Sequence, residues 1–142
     1  MIELHGWLSV SETFRDEDLF SQEELDSIIL KVKEIIFNSN CGIDLQYMNG
    51  IPYINTAFFP NHRTKEVDNI IEIYQNISKI ATGSFGIIYL RDDEDKLYYN
   101  QFQVYVFKKG NCTFKIDTDF SPCIPTIEND TDTPKGDYKN GI

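Results

Sequence analysis

The chain has 142 residues and a formal net charge of −10, from 23 acidic against 13 basic side chains. That length suits one domain able to bury a core without disulfides or metals, and 41% hydrophobic content is too high for wholesale disorder. The acidic balance disfavours nucleic acid and anionic membranes as partners and favours a basic protein.

At the start of the chain, Ile2, Leu4, Leu8 and Val10 alternate with other positions, as in a strand with one buried face. Gly6 falls in register on that apolar face, which suits a bulge or a close packing contact. The same alternation sends His5 and Trp7 to the opposite face. Glu3, Glu12, Asp16, Glu17 and Asp18 occupy the region where a secretory signal needs a basic start and an unbroken apolar run. No stretch approaches the ~18–20 apolar residues of a membrane span. A soluble, cytoplasmic protein is expected.

Ser21-Gln22-Glu23-Glu24 has the form of a capping box, with Phe20 and Leu25 as its hydrophobic staple. Leu25, Ile28, Ile29, Val32, Ile35 and Ile36 follow at helical spacing, and Asn38, Asn40 and Gly42 suit the exit. Ile43 to Met48 and Ile51 to Phe59 predict a β-hairpin around Asn49-Gly50, with Pro52 at an edge or strand end. Thr64 is the expected cap of a second helix, whose stripe is Val67, Ile70, Ile71, Tyr74, Ile77 and Ala81.

Three more strands are predicted, at about residues 84–91, 98–107 and 111–116. The fold class is α+β in the order β-α-β-β-α-β-β-β, a mainly antiparallel sheet with two helices on one face. Residues 1–129 form the expected single domain, and 130–142 a polar, mobile tail.

Catalytic chemistry finds little support. His5 and His62 lie far apart, and no nucleophile or phosphate-binding motif accompanies them. Gly83-Ser84-Phe85-Gly86 ends a helix and begins a strand, the reverse of a phosphate cradle. The acids from Asp92 to Asp95, and the pair Asp130 and Asp132, lack the glycine that a calcium loop needs at its sixth position. Cys41, Cys112 and Cys123 are odd in number and follow no metal-ligand spacing, which fits free thiols in a reducing compartment. No metal and no cofactor is implied, and a non-enzymatic binder is expected. Two acidic clusters, Glu12 to Asp26 and Asp92 to Asp95, are either solvated surface or a field that steers a basic partner.

His5-Gly6-Trp7, Asn61-His62-Arg63, Gly83-Ser84-Phe85-Gly86 running into Leu90-Arg91-Asp92-Asp93, Phe102-Gln103-Val104-Tyr105-Val106, and Ser121-Pro122-Cys123-Ile124-Pro125-Thr126-Ile127-Glu128 occur in that order. Together they resemble the immunity protein 7 family of bacterial polymorphic toxin systems, over about residues 1–129. The resemblance implies a cytosolic antidote that binds a cognate toxin C-terminal domain, often a nuclease. It carries no catalytic set and no mapped interface. From the residues themselves, the candidate contacts are His5, Trp7 and Arg63, with Asp92, Asp93 and Asp95 as the steering acids; the rival reading of Trp7 is a second-face core residue under the Ser121–Glu128 segment. The alternatives are an interaction or regulatory module with another partner, and a small enzyme. Oligomeric state is left open by the sequence.

Overall fold

A computed structural model describes residues 1–119; the Ser121–Glu128 motif, Cys123 and the tail 130–142 lie outside the described residues. Six strands form one antiparallel sheet: β1 (Ile2–Ser9), β2 (Ile43–Met48), β3 (Ile51–Phe58), β4 (Phe85–Asp92), β5 (Gln103–Lys108) and β6 (Asn111–Ile116). Helix α1 (Gln22–Asn38) enters between β1 and β2, and α2 (Lys65–Ile80) between β3 and β4. The class and element order are those the sequence predicts. In space the strands run β2-β3-β1-β4-β5-β6, so the first strand sits inside the sheet and β2 and β6 are its edges.

The register explains which side chains meet the helices. Directly opposed residues share a face, and Leu4 stands opposite Phe58 and Leu90, Leu8 opposite Ile54 and Gly86. These positions carry the core, with Ile2, Leu4, Leu8, Ile54, Ile88 and Leu90 all at 0% exposure. Helix α2 closes the core through Val67, Ile70, Tyr74 and Ile77. Helix α1 is shallower: only Leu25 and Val32 are buried, while Ile28, Ile29, Ile35 and Ile36 pack partly buried against the core.

Local chemistry sets the element ends. Ser21 Oγ accepts from the Glu24 amide at 3.1 Å, capping α1. Asn49 and Gly50 have φ of 53° and 77°, and Lys109 and Gly110 of 52° and 76°, so both hairpins close through paired positive-φ residues. Pro52 sits at the start of β3, a strand-end position where its missing donor is tolerated.

Two details differ from expectation. Thr64 stands at the N-cap of α2, but its hydroxyl makes no cap hydrogen bond. The strand predicted from residue 98 begins only at Gln103. Asp95 accepts from the amides of Leu97 and Tyr98 at 2.8 Å each, and the Gln101 amide donates to the Tyr98 carbonyl at 3.0 Å. Those bonds curl the segment into turns despite its β-favouring tyrosines. No helix among the described residues is long and apolar enough to cross a membrane.

Candidate partner-binding surface

The face of β1 turned away from the helices carries Glu3, His5 and Trp7. Trp7 is 40% exposed and meets Phe85 edge-on, with centroids 6.2 Å apart. Its cross-strand neighbours are Asn55 on β3 and Ile87 on β4. The Asn55 side-chain nitrogen is buried and has no hydrogen-bond partner among the described residues. Along the same strand, the His5 ring packs on Phe59 at 5.1 Å and its Nε2 lies 3.1 Å from Glu3 Oε1. The other Glu3 oxygen faces the buried Arg91 Nε at 3.6 Å. This is an aromatic patch with a polar margin. His5 and Trp7 are therefore brought together on one exposed face, as the strand period requires.

Arg63 is not part of that group. Its guanidinium donates to Asp68 Oδ1 at 2.6 Å in the first turn of α2. Burial opposes its charge, but the hydrogen bond and charge of Asp68 outweigh burial and raise its pKa, with a further contribution from Tyr105. Tyr105 opposes the buried Ile88 and so lies on the helix-covered face. Arg63 therefore lies toward the helix-covered side of the sheet, and His5 and Trp7 on the other.

The acidic loop after β4 is engaged with its own fold. Asp92 is buried, and its Oδ1 accepts from the Glu94 amide at 3.0 Å. Asp93 pairs with the Met1 amine, and that hydrogen bond holds its carboxyl below the usual range. Glu94 meets His62 Nδ1 at 2.7 Å. The Asp95 carboxyl is lowered by the backbone amides of Tyr98 and Leu97 that it caps. The Ile2 amide also donates to the Pro60 carbonyl at 2.8 Å. The loop 60–63 and the loop 92–95 thus lock together at one end of the sheet. Asp92 is withdrawn from solvent, while Asp93 and Asp95 remain accessible but occupied.

The other acidic cluster behaves differently. None of Glu12, Asp16, Glu17, Asp18, Glu23, Glu24 and Asp26 makes an ion pair among the described residues. Some have local uses: Asp16 caps the short 3₁₀ turn Glu17–Leu19, and Glu23 and Glu24 sit favourably at the positive end of α1. With Arg15 as the one cation within its stretch, the cluster stays strongly acidic. Leu19 at 71% and Leu30 at 58% exposure interrupt it. The sequence shows this cluster as plainly as the loop; what it hides is which of the two has its charge spent internally.

Neither histidine has a Ser, Thr or Cys side chain as a hydrogen-bond partner among the described residues. No three His, Cys, Asp or Glu side chains there are grouped to hold a metal. A family model described as immunity protein 7 matches residues 1–129. No curated protein and no solved structure gives a significant match.

Proposed function

The chain belongs to the immunity protein 7 family, and from that membership we propose that it is the cytoplasmic antidote to a basic toxin domain, a nuclease in particular, delivered by contact or secretion. The family itself makes it an immunity protein that binds a cognate polymorphic toxin. The finer reading rests on one observation: the seven carboxylates from Glu12 to Asp26 make no ion pair among the described residues, and Arg15 is the one cation within their stretch. A nuclease must gather positive charge to hold phosphates, and a strongly acidic face competes for that same charge. Attraction speeds encounter, and the Trp7–Phe85 patch supplies apolar area that holds the complex once formed. Inhibition is steric and electrostatic, with no turnover by the antidote.

The test uses the toxic C-terminal domain encoded by the adjacent gene. Co-expression of this chain should restore growth to cells producing that domain, and the purified pair should associate faster as salt is lowered. Growth without rescue, or the absence of a complex at micromolar concentration, rejects the reading.

A further inference from the structure

Helix α1 crosses the sheet at the edge strand β2, and two clefts open between them. One, of about 530 Å³, lies among Glu12, Asp26, Leu30, Lys33, Tyr47 and Pro52. The next, of about 450 Å³, is lined chiefly by Ile36, Phe37 and Leu45, with Lys33 and Glu34 at its rim. Lys33 borders both, its ammonium 5.5 Å from the centre of the Tyr47 ring. The clefts are therefore one groove divided by a single side chain, with an acidic end and an apolar end.

The spacing of that groove is the spacing of a strand. Leu45 and Tyr47 are two residues apart on β2, hence on one face about 7 Å apart, and each floors one cleft. Among the described residues β2 pairs only with β3, so apart from the Ile43 amide, which donates to the Cys41 carbonyl at 2.7 Å, its outer rim of N–H and C=O groups has no strand partner there. The opposite edge, β6, carries Lys115, a common guard against strand addition. Strand β2 has neither lysine nor proline. At the acidic end, among the described residues, Glu12 makes no ion pair and Asp26 accepts from the Gln22 side-chain amide at 2.8 Å. Phe37, 84% exposed, stands over the apolar end.

We infer that this groove receives an extended segment of the toxin domain, added as a seventh strand beside β2. The segment sets an apolar side chain against Phe37 and Leu45 and, about four residues along on the same face, a basic one between Glu12 and Asp26, which lies eleven residues from Phe37 on α1. Backbone pairing along an edge supplies affinity, and the alternating pockets supply selection. A second copy of this chain is a poorer occupant, because it would bring another net −10 to an already acidic rim. The inference rests on the toxin-binding reading and adds to it a place and a recognition pattern.

The experiment measures amide hydrogen exchange of the full chain with and without the adjacent-gene toxin domain, together with the affinities of Phe37→Glu, Asp26→Lys and Trp7→Ala. The outer amides of residues 44–48 should exchange at least tenfold more slowly in the complex. Phe37→Glu and Asp26→Lys should each weaken binding at least tenfold with unfolding midpoints unchanged. A complex whose β2 amides exchange as in the free chain overturns the groove, as does unchanged affinity in both groove variants. Protection of β2 already present in the free chain does the same, since a second copy or the chain's own residues would then fill the site. Loss of binding in Trp7→Ala alone would leave the toxin reading standing without the groove, and a wild-type chain that binds no toxin domain overturns both.

Discussion

The Tyr74 hydroxyl stands 2.8 Å from the point that a Cβ on Gly6 would occupy. Gly6 is directly opposite Thr56 in the sheet, and the missing side chain lets the tyrosine reach across to Thr56 Oγ1 at 2.9 Å. The glycine that breaks the apolar pattern of β1 is thus the hole into which α2 inserts its largest buried side chain. Gly6→Ala should displace that ring and stretch its one hydrogen bond, costing about 1–3 kcal/mol. In a Tyr74→Phe background the same change should cost less, because the nearest atom is gone. Denaturant unfolding of the four proteins measures the coupling, and strictly additive losses would refute the contact.

The same tyrosine gives the fold an alkaline limit. Burial pushes the Tyr74 pKa up to about 12 from an ordinary 10, against a smaller opposing effect of its bond to Thr56. A folded-state pKa above the unfolded one means that the folded form holds its proton longer. Its contribution to stability is therefore complete below pH ~10 and is lost as pH rises toward ~12. Two units at about 1.4 kcal/mol each make the loss roughly 2–3 kcal/mol. Wild type minus Tyr74→Phe isolates this residue from the other tyrosines. Identical slopes between pH 10 and 12 in the two proteins would exclude it.

Much of this architecture is legible in the sequence because it is set by neighbours along the chain. Ser21 announces α1 three residues ahead through the amide it will cap, and Asn49-Gly50 announces its turn through tolerance of positive φ. The side-chain period of two puts His5 and Trp7 on one face without any knowledge of the partner strands. What the chain hides depends on distant partners. The placing of β1 between β3 and β4 follows from pairing across more than forty residues, which no local pattern encodes. Tyr98, Tyr99 and Phe102 are strand-favouring side chains, yet Asp95 turns the chain at Leu97 and Tyr98 through its hold on their two amides. Trp7 and Arg63 both look like contact residues in the sequence, and only the packing of Arg63 by Asp68 and Tyr105 shows that it lies toward the other side of the sheet.

The two helical stripes differ in depth, which their sequences do not reveal. Ile71 is 7% exposed within the core, whereas Ile29 is half-buried and borders a cleft. Ile71→Asp should bury an unpaired charge and cost several kcal/mol, enough to unfold the chain near room temperature. The Ile29→Asp carboxylate can turn toward solvent, so that variant should remain folded with a lowered midpoint. Thermal unfolding followed by circular dichroism separates them, and equal losses would contradict the unequal packing.

Trp7→Ala discriminates an interface anchor from a core residue. A fully buried tryptophan loses about 3–5 kcal/mol on truncation. Trp7, 40% exposed and touching Phe85 by one edge, should lose under about 2 kcal/mol while toxin affinity falls tenfold or more. Unfolding and binding are measured on the same preparation. A destabilised variant that still binds normally when folded sinks the anchor.

The two acidic clusters should respond oppositely to neutralisation. Replacing Asp92, Asp93 and Asp95 with Asn removes a buried turn acceptor's charge, the partner of the Met1 amine and the cap on two amides. The expected effect is lower stability, with little change in association rate. Glu17, Asp18 and Glu23 make no ion pair among the described residues. Replacing these with Gln, Asn and Gln should leave unfolding within about 1 kcal/mol but slow toxin association several-fold at low salt, with the off-rate steady. Raising ionic strength to ~0.5 M shortens the screening length to about 4 Å and should erase the difference between this variant and wild type. Stopped-flow association at the two salt concentrations is the measurement. If instead the loop variant associates slowly while the α1 variant associates normally, the steering charge lies on the loop, and its hydrogen bonds do not remove it from play.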